Sequence, residues 1–277
     1  MIAYSHGEYM SNEAYHAAPG ISSSGLKLIL RSPAHYWAAY LDPQRERPES
    51  TPAMQLGTMI HSATLEPATL GAGYYVLPEG LDRRTTAGKA TYAAALLEAA
   101  GRILVSADDY RLAAAIADAV NTHHTAGVLL RGALMDQSYF ADAPSCVACK
   151  ARPDALSIIG GIPVCADLKS AEDARPEAFA RACVNYGYDL SAAFYIDVVQ
   201  WAGQPRPESF FFIVVEKELP FAVMVYEASE EFLRAGRDKY QRALATYVKC
   251  HQAQDWGSYT EDVQLLDLPA WAKTDFN

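Results

Sequence analysis

Residues 153–170 read Pro-Asp-Ala-Leu-Ser-Ile-Ile-Gly-Gly-Ile-Pro-Val-Cys-Ala-Asp-Leu-Lys-Ser. Two short β-type runs flank Gly160-Gly161, and a glycine pair in that setting predicts a two-residue hairpin turn. If the glycines make the turn, Ile159 faces Ile162, and counting outward sets Asp154 against Asp167. Side chains directly opposed across an antiparallel pair have Cβ atoms about 4.5–5.5 Å apart. Two carboxylates at that spacing repel, unless a divalent cation between them turns the repulsion into a binding site, since hard ions take carboxylate oxygens. Lys169 lies two residues past Asp167 and leaves the strand on the same face. Two acids and a lysine on one patch of sheet make a metal-dependent hydrolase site of the kind that cuts phosphodiesters. Acidic residues also end many strands, and Asp-x-Lys is often only a surface ion pair. The setting favours chemistry, because Ala155, Leu156, Ile158, Ile159, Val164, Cys165, Ala166 and Leu168 make both strands apolar on both faces. Charges embedded in such strands are costly unless paired or bound to metal. Pro163 favours an edge strand or a bulge, which would shift the register by one residue.

The elements that must position this patch are legible in outline. Residues 1–20 read as irregular. Ser22 to Ser24 cap a helix carrying Leu26, Leu28, Ile29 and Leu30. Ser32-Pro33 starts another, with Tyr36, Trp37, Tyr40 and Leu41 on its apolar stripe. A third runs from Gln55 to Leu65, a short strand from Tyr74 to Leu77, and further helices from the loop near Lys89 to about Ala100 and from Ala107 to about His123. The β region holds Tyr139 to Ala141, Cys146 to Ala151, and the aspartate hairpin. One helix from Pro176 to Trp201, strands at 209–216 and 222–227, and a helix after Ser229 follow. A tail carries Trp256, Tyr259, Leu265, Leu266 and Trp271. This order predicts an α/β fold with a central mixed β-sheet flanked by helices and a helical N-terminal region. We read residues 1–277 as a single domain: a mainly helical region to about 135, a core over about 136–250, and a C-terminal tail over 251–277.

The chain has 277 residues, of which 51% are hydrophobic, enough for a sizeable core. No run of about 18 apolar residues predicts a transmembrane helix. The first residues lack the basic and apolar regions of a signal peptide. Five cysteines, odd and sparse, suit reduced thiols in a cytoplasm. A net charge of −10 excludes a surface that is basic all over. A nucleic-acid enzyme of this charge would confine its cations to a groove.

Together these residues resemble the PD-(D/E)XK nucleases, and within them the exonuclease VIII (RecE) type of phage and prophage recombination. The resemblance rests on Pro153-Asp154 with Asp167-Leu168-Lys169, on Gly57-Thr58-Met59-Ile60-His61-Ser62-Ala63-Thr64-Leu65-Glu66-Pro67, on Cys149-Lys150-Ala151-Arg152, and on Tyr186-Gly187-Tyr188-Asp189-Leu190-Ser191-Ala192-Ala193-Phe194-Tyr195. The segment from Ile21 to Tyr36 and the loop from Arg83 to Lys89 also look like this family, so the likeness covers about residues 20–250. It implies a restriction-endonuclease-like core and a two-metal, Mg²⁺-dependent exonuclease, with Mn²⁺ a possible substitute. Such an enzyme trims linear double-stranded DNA 5′→3′ and leaves 3′ single-stranded tails for a RecT-like annealing partner. Asp154, Asp167, the Leu168 carbonyl and His61 would be the metal ligands, with Asp154, Asp167 and Lys169 the catalytic residues. Processive enzymes of this type form homo-oligomeric rings, trimeric or tetrameric, around the duplex. Ser191 departs from the glutamine usual in Tyr-x-x-Gln-x-x-x-Tyr. It leaves open a catalytically weakened DNA-binding homologue, beside an endonuclease or repair nuclease of the same fold.

The remaining candidates have bland readings too. A lone histidine on an apolar helix is more often structural than a ligand. Glu66, five residues after His61, falls about 140° round a continuous helix and cannot share its face. Arg83, Arg84 and Lys89 read as a solvated loop or a clamp on the DNA backbone. Ser22, Ser24, Lys27 and Arg31, at and just inside a helix start, read as a site for the 5′-terminal phosphate. Tyr188 and Ser191 are placed against DNA, and Tyr195 in the core. Cys146 and Cys149 would lie on opposite faces of a strand. All five cysteines read as buried small hydrophobes, and no iron–sulfur cluster is expected.

Overall fold

The structure, a computed structural model, describes residues 7–45 and 50–268. Trp271 of the expected tail and the first six residues of the N-terminus lie outside them. The first half is helical: α1 (Asn12–Ala17), α2 (Ser23–Arg31), α3 (Pro33–Tyr36), a π-helical turn (Trp37–Leu41) continuing it, α4 (Pro52–Leu65) and α5 (Pro67–Gly73). Then come β1 (Tyr74–Val76), α6 (Thr86–Ala99), β2 (Ile103–Val105), α7 (Ala107–Thr122) and α8 (His124–Leu130). The second half runs β3 (Leu134–Met135), β4 (Tyr139–Asp142), β5 (Ala148–Ala151), β6 (Ala155–Ile159), β7 (Ile162–Ala171), α9 (Pro176–Tyr186), α10 (Tyr188–Trp201), β8 (Ser209–Glu216), β9 (Val223–Glu227) and α11 (Glu230–Ala253).

Local chemistry starts these helices. Ser22, Thr51, Ser106 and Ser229 each accept a backbone N–H three residues on, caps worth about 1 kcal/mol apiece. Proline opens α3, α4, α5 and α9, where its missing N–H costs nothing.

Five strands form a mixed sheet in the order β3-β6-β7-β8-β9, with β7 and β8 parallel and the other neighbours antiparallel. The parallel pair is joined by the α9–α10 crossover. Side chains alternate along β8. Phe210, Phe212 and Val214 pack with α2, α9, α10 and α11, whereas Ile213 and Val215 pack with α4, α7 and α8. Phe210 and Ile213 are fully buried, and removing such side chains from water contributes about 1.5–3 kcal/mol each. The sheet is thus covered on both faces. Cys165 belongs to the α10 face, so by alternation Asp167 and Lys169 leave β7 toward α10 as well.

Pro163 does not disturb the hairpin, where Ile159 pairs with Ile162 and Ala155 with Ala166. The Pro163 carbonyl accepts from Glu208 on the β8 side. The proline nitrogen therefore points the same way, and the β7–β8 ladder begins only at Val164 and Ser209. No ladder N–H is missing.

Several sequence expectations are corrected. The N-terminal segment contains α1. The expected 176–201 helix is two, because Gly187 adopts φ +60° and ends α9 in a left-handed cap. The β4–β5 hairpin stands apart from the main sheet, which recruits the two-residue β3 instead. Cys146 is exposed in the β4–β5 turn with φ +58°, and Cys250 is half-buried, so only Cys149, Cys165 and Cys183 are buried.

Candidate active site

Extending the β6–β7 register by one pair sets Asp154 against Asp167, as the turn predicted. Extending β3–β6 the same way sets Asp136 against Asp154, and the Asp136 N–H donates to the Asp154 carbonyl at 3.1 Å. Three aspartates therefore lie in a row across three neighbouring strands, Asp136 just after β3, Asp154 just before β6 and Asp167 within β7. His61, one turn before the end of α4, places Nε2 3.0 Å from Asp154 Oδ1 and Nδ1 3.8 Å from Asp136 Oδ2. Ligand atoms of His61, Asp136 and Asp154 all lie within 4.8 Å of one another. The second oxygen of Asp154 accepts the Leu168 N–H at 2.7 Å. Asp167 turns its carboxylate to the Lys169 ammonium, which also lies 3.4 Å from the Leu168 carbonyl oxygen.

The electrostatics follow from burial and like charge. Burial, then the charges of Asp154 and Glu66, push Asp136 up to about 7 against the pull of His61. Burial and the Asp154 charge raise Asp167 despite Lys169. For Asp154 burial opposes ionisation, but His61, Lys169 and the Leu168 N–H outweigh it and hold the carboxyl low. Burial likewise opposes charge on His61, yet Asp154 and Asp136 raise the imidazole to about 9. A row of carboxylates with one imidazole is a hard, oxygen-rich donor set, and the mutual repulsion within it is what a divalent cation relieves. The residues fit such an ion.

The cluster opens into a cleft of about 460 Å³ walled by α1, the start of α2, and Gly57, Thr58 and Glu66. Two residues of the Cys-Lys-Ala-Arg motif hold that wall. Buried Lys150 donates to the carbonyls of Tyr15, His16 and Ala18 at the end of α1. Arg152 donates to Ser138 Oγ and to the Met10 carbonyl, with its guanidinium 4.3 Å from the Tyr15 ring centroid.

Other expected residues fall in four places. Ser22 and Ser24 line the cleft, whereas Arg31 ends α2, about 12 Å from its start, where its Nε donates to Tyr259. Arg31 thus sits in the last turn, not at the helix start. Lys27 reaches Tyr188, whose ring centroid lies 5.7 Å from Lys27 Nζ and 5.1 Å from Lys169 Nζ. Ser191 follows one turn into α10, its N–H on the Gly187 carbonyl. Arg83, Arg84 and Lys89 lie on the 78–90 segment away from the cluster. Arg83 stacks over Tyr92, Arg84 pairs with Asp82, and Lys89 is exposed in α6. Tyr195 packs against the core, as expected, and also lines the cleft. Glu66 also reaches the cleft, because α4 stops at Leu65 and the chain bends there (φ −132°, ψ 57°), so the continuous-helix geometry does not apply. Asp136 went unforeseen. Its one signal was an acid just ahead of the β region, and a two-residue strand leaves no periodicity to read.

A mixed sheet bearing aspartates on adjacent strands, with a lysine two residues past one of them, is the core of the PD-(D/E)XK nuclease fold. Residues 22–269 match the family described as a PDDEXK-like domain of unknown function (DUF3799), and the chain belongs to that family. The comparison with curated proteins returned no match. Among solved structures, the chain is similar to a protein from Eubacterium rectale named "Putative exonuclease". The identity is 14% and the TM-score 0.61, over 95% of this chain and 96% of that one. At that identity the likeness shows the shared fold. An alkaline exonuclease from Laribacter hongkongensis aligns over 71% of this chain and 98% of its own, at 12% identity and a TM-score of 0.27, too low to carry an argument.

Proposed function

We propose that this chain is a divalent-metal-dependent exonuclease that digests linear double-stranded DNA from its 5′ ends. The observation that carries this reading is the row Asp136–Asp154–Asp167, closed by His61 on one side and Lys169 on the other. His61, Asp136 and Asp154 would hold a cation, joined by Asp167 and the Leu168 carbonyl. When bound, such an ion supplies Lewis-acid stabilisation of phosphate charge and lowers the pKa of water. Lys169, fixed by Asp167 and raised by the two nearest carboxylates over the cost of burial, stays protonated. Its ammonium is thereby available to a phosphate oxygen or an attacking water. Burial, then Lys169, lower Lys27 to about 8, so it is the cation of this patch most readily tuned by a bound phosphate. Ser22 and Ser24 at the α2 start support a terminal-phosphate contact, and Arg83, Arg84 and Lys89 would meet the duplex farther out.

In the same reading, single-stranded 3′ tails pass to an annealing protein and the enzyme acts as a homo-oligomeric ring. The test is digestion of end-labelled linear duplex beside covalently closed circular DNA, with Mg²⁺ or Mn²⁺. Linear duplex should be degraded from the 5′ end and the circle spared. Asp167→Ala should lose at least about 10³-fold in rate with the fold retained. Intact linear duplex with both metals overturns the reading, and cleavage of the circle replaces it with an endonuclease.

A further inference from the structure

Asp154 opens onto the α1-walled cleft, but Lys169 borders a second hollow on the other side of the strand row. It measures about 320 Å³ and is lined by Phe179, Tyr186, Tyr188 and Lys217 as well. Tyr186 is the last residue of α9 and Tyr188 the first of α10. The left-handed turn at Gly187 between them brings the two rings together, centroids 5.6 Å apart and 27° from parallel. Tyr188 is backed by Phe179 and Phe212 and flanked by the Lys169 and Lys27 ammonium groups. Tyr186 has no such cover: it is 63% exposed, an aromatic ring mounted on a fixed one and turned to solvent. The acids at the rim are matched by cations. Arg175 donates to Asp173 at 2.7 Å, and Lys217 lies 4.0 Å from Glu172.

We propose that this hollow is a stacking site for an unpaired nucleobase of the strand being cut, with Tyr186 as its platform and Lys217 and Lys169 facing the adjoining phosphates. The proposal rests on the nuclease reading of the aspartate row, because Lys169 belongs to both places. A base inside a duplex has both faces covered by its neighbours, so a free tyrosine face suits one that has left the stack. Every base offers a π-face, so such a platform holds DNA without reading its sequence. Holding the terminal nucleotide unstacked would keep the phosphate next to it at Lys169. The rings are positioned by a helix corner, so little side-chain freedom is lost on binding.

The test measures binding apart from cleavage. Full-length protein with Ca²⁺ in place of Mg²⁺ is titrated against labelled duplex carrying a short single-stranded end, and against the same duplex with abasic residues in that end. Tyr186→Ala should weaken binding to the base-bearing end about tenfold, and Tyr186→Phe should keep it, as stacking requires. On the abasic end wild type and Tyr186→Ala should bind alike. Wild-type affinity of Tyr186→Ala for the base-bearing end overturns the proposal. An equal loss on both ends also overturns it, and points to a packing role or a protein contact. Base-dependent binding by a protein that cuts no DNA with Mg²⁺ or Mn²⁺ would leave the stacking site standing while the nuclease reading falls.

Discussion

Two buried carboxylate sites in this chain are handled in opposite ways. Between α10 and α11, Asp197 accepts Nε and Nη2 of Arg237 at 2.7 and 3.0 Å, and the Tyr240 hydroxyl as well. Its oxygens are matched by donors from α11, so its charge is complete within the chain. On the strands, Asp154 stands between Asp136 and Asp167, with His61 and Lys169 dividing their cations among three acids. The first arrangement locks two helices together. The second leaves negative charge in excess at one spot, which is the condition for taking up a cation. The contrast separates a carboxylate that holds the scaffold from carboxylates whose charge the scaffold leaves unbalanced.

Removing one acid from each site breaks the comparison most sharply. Asp197→Ala leaves the Arg237 guanidinium without its partner and should destabilise by about 3 kcal/mol, read by urea unfolding. Asp136→Asn removes a like charge and should leave the metal-free protein as stable as wild type or more so, while weakening Mg²⁺ binding by calorimetry. Equal destabilisation by the two changes would erase the distinction.

The pH response is expected to be smaller. The folded-state value of about 9 for His61 exceeds its ordinary 6.5. Its stabilising contribution is therefore fully present below about pH 6.5 and is lost as pH rises through about 9. The raised value of Asp136, about 7, acts in the same direction from about pH 4 to pH 7. With chelator present, the melting temperature should fall between pH 6.5 and pH 9. With Mg²⁺ the fall should shrink, because the bound ion requires deprotonated ligands. A melting temperature that rises over that interval in chelator would contradict the charge assignment.

The smallest effect lies at the corner that joins the two sites along α10. Gly187→Ala forces a side chain into φ +60°, at about 1 kcal/mol. The added Cβ would meet Lys27 Cε at 3.3 Å. A modest loss of stability should accompany a larger loss of DNA affinity, measured on the same preparation.

The aspartate hairpin was legible because a glycine pair fixes the turn, and turn position fixes which residues oppose each other. The same counting failed for Asp136, since β3 has only two residues and its pairing is dictated by the neighbouring strand. Helix periodicity located α4 and hence His61, but not the bend at Glu66, which depends on Pro67 starting a new helix in a different direction. Nor could alternation tell that β4 and β5 leave the main sheet, because their apolar residues pack on α10 from a hairpin of their own. The electropositive patch around Tyr188 arises from α2, β7 and α10, which are far apart in sequence and meet only through the core.

Lys150 has a practical corollary. Its ammonium is buried and satisfied by three carbonyl oxygens from residues 15–18, yet the family match begins only at residue 22. A recombinant fragment cut at that boundary would keep the lysine and discard its acceptors, stranding a cation inside the β4–β5 hairpin. The start of the family match is thus a poor place to trim this chain, and expression work should retain everything from α1 onward.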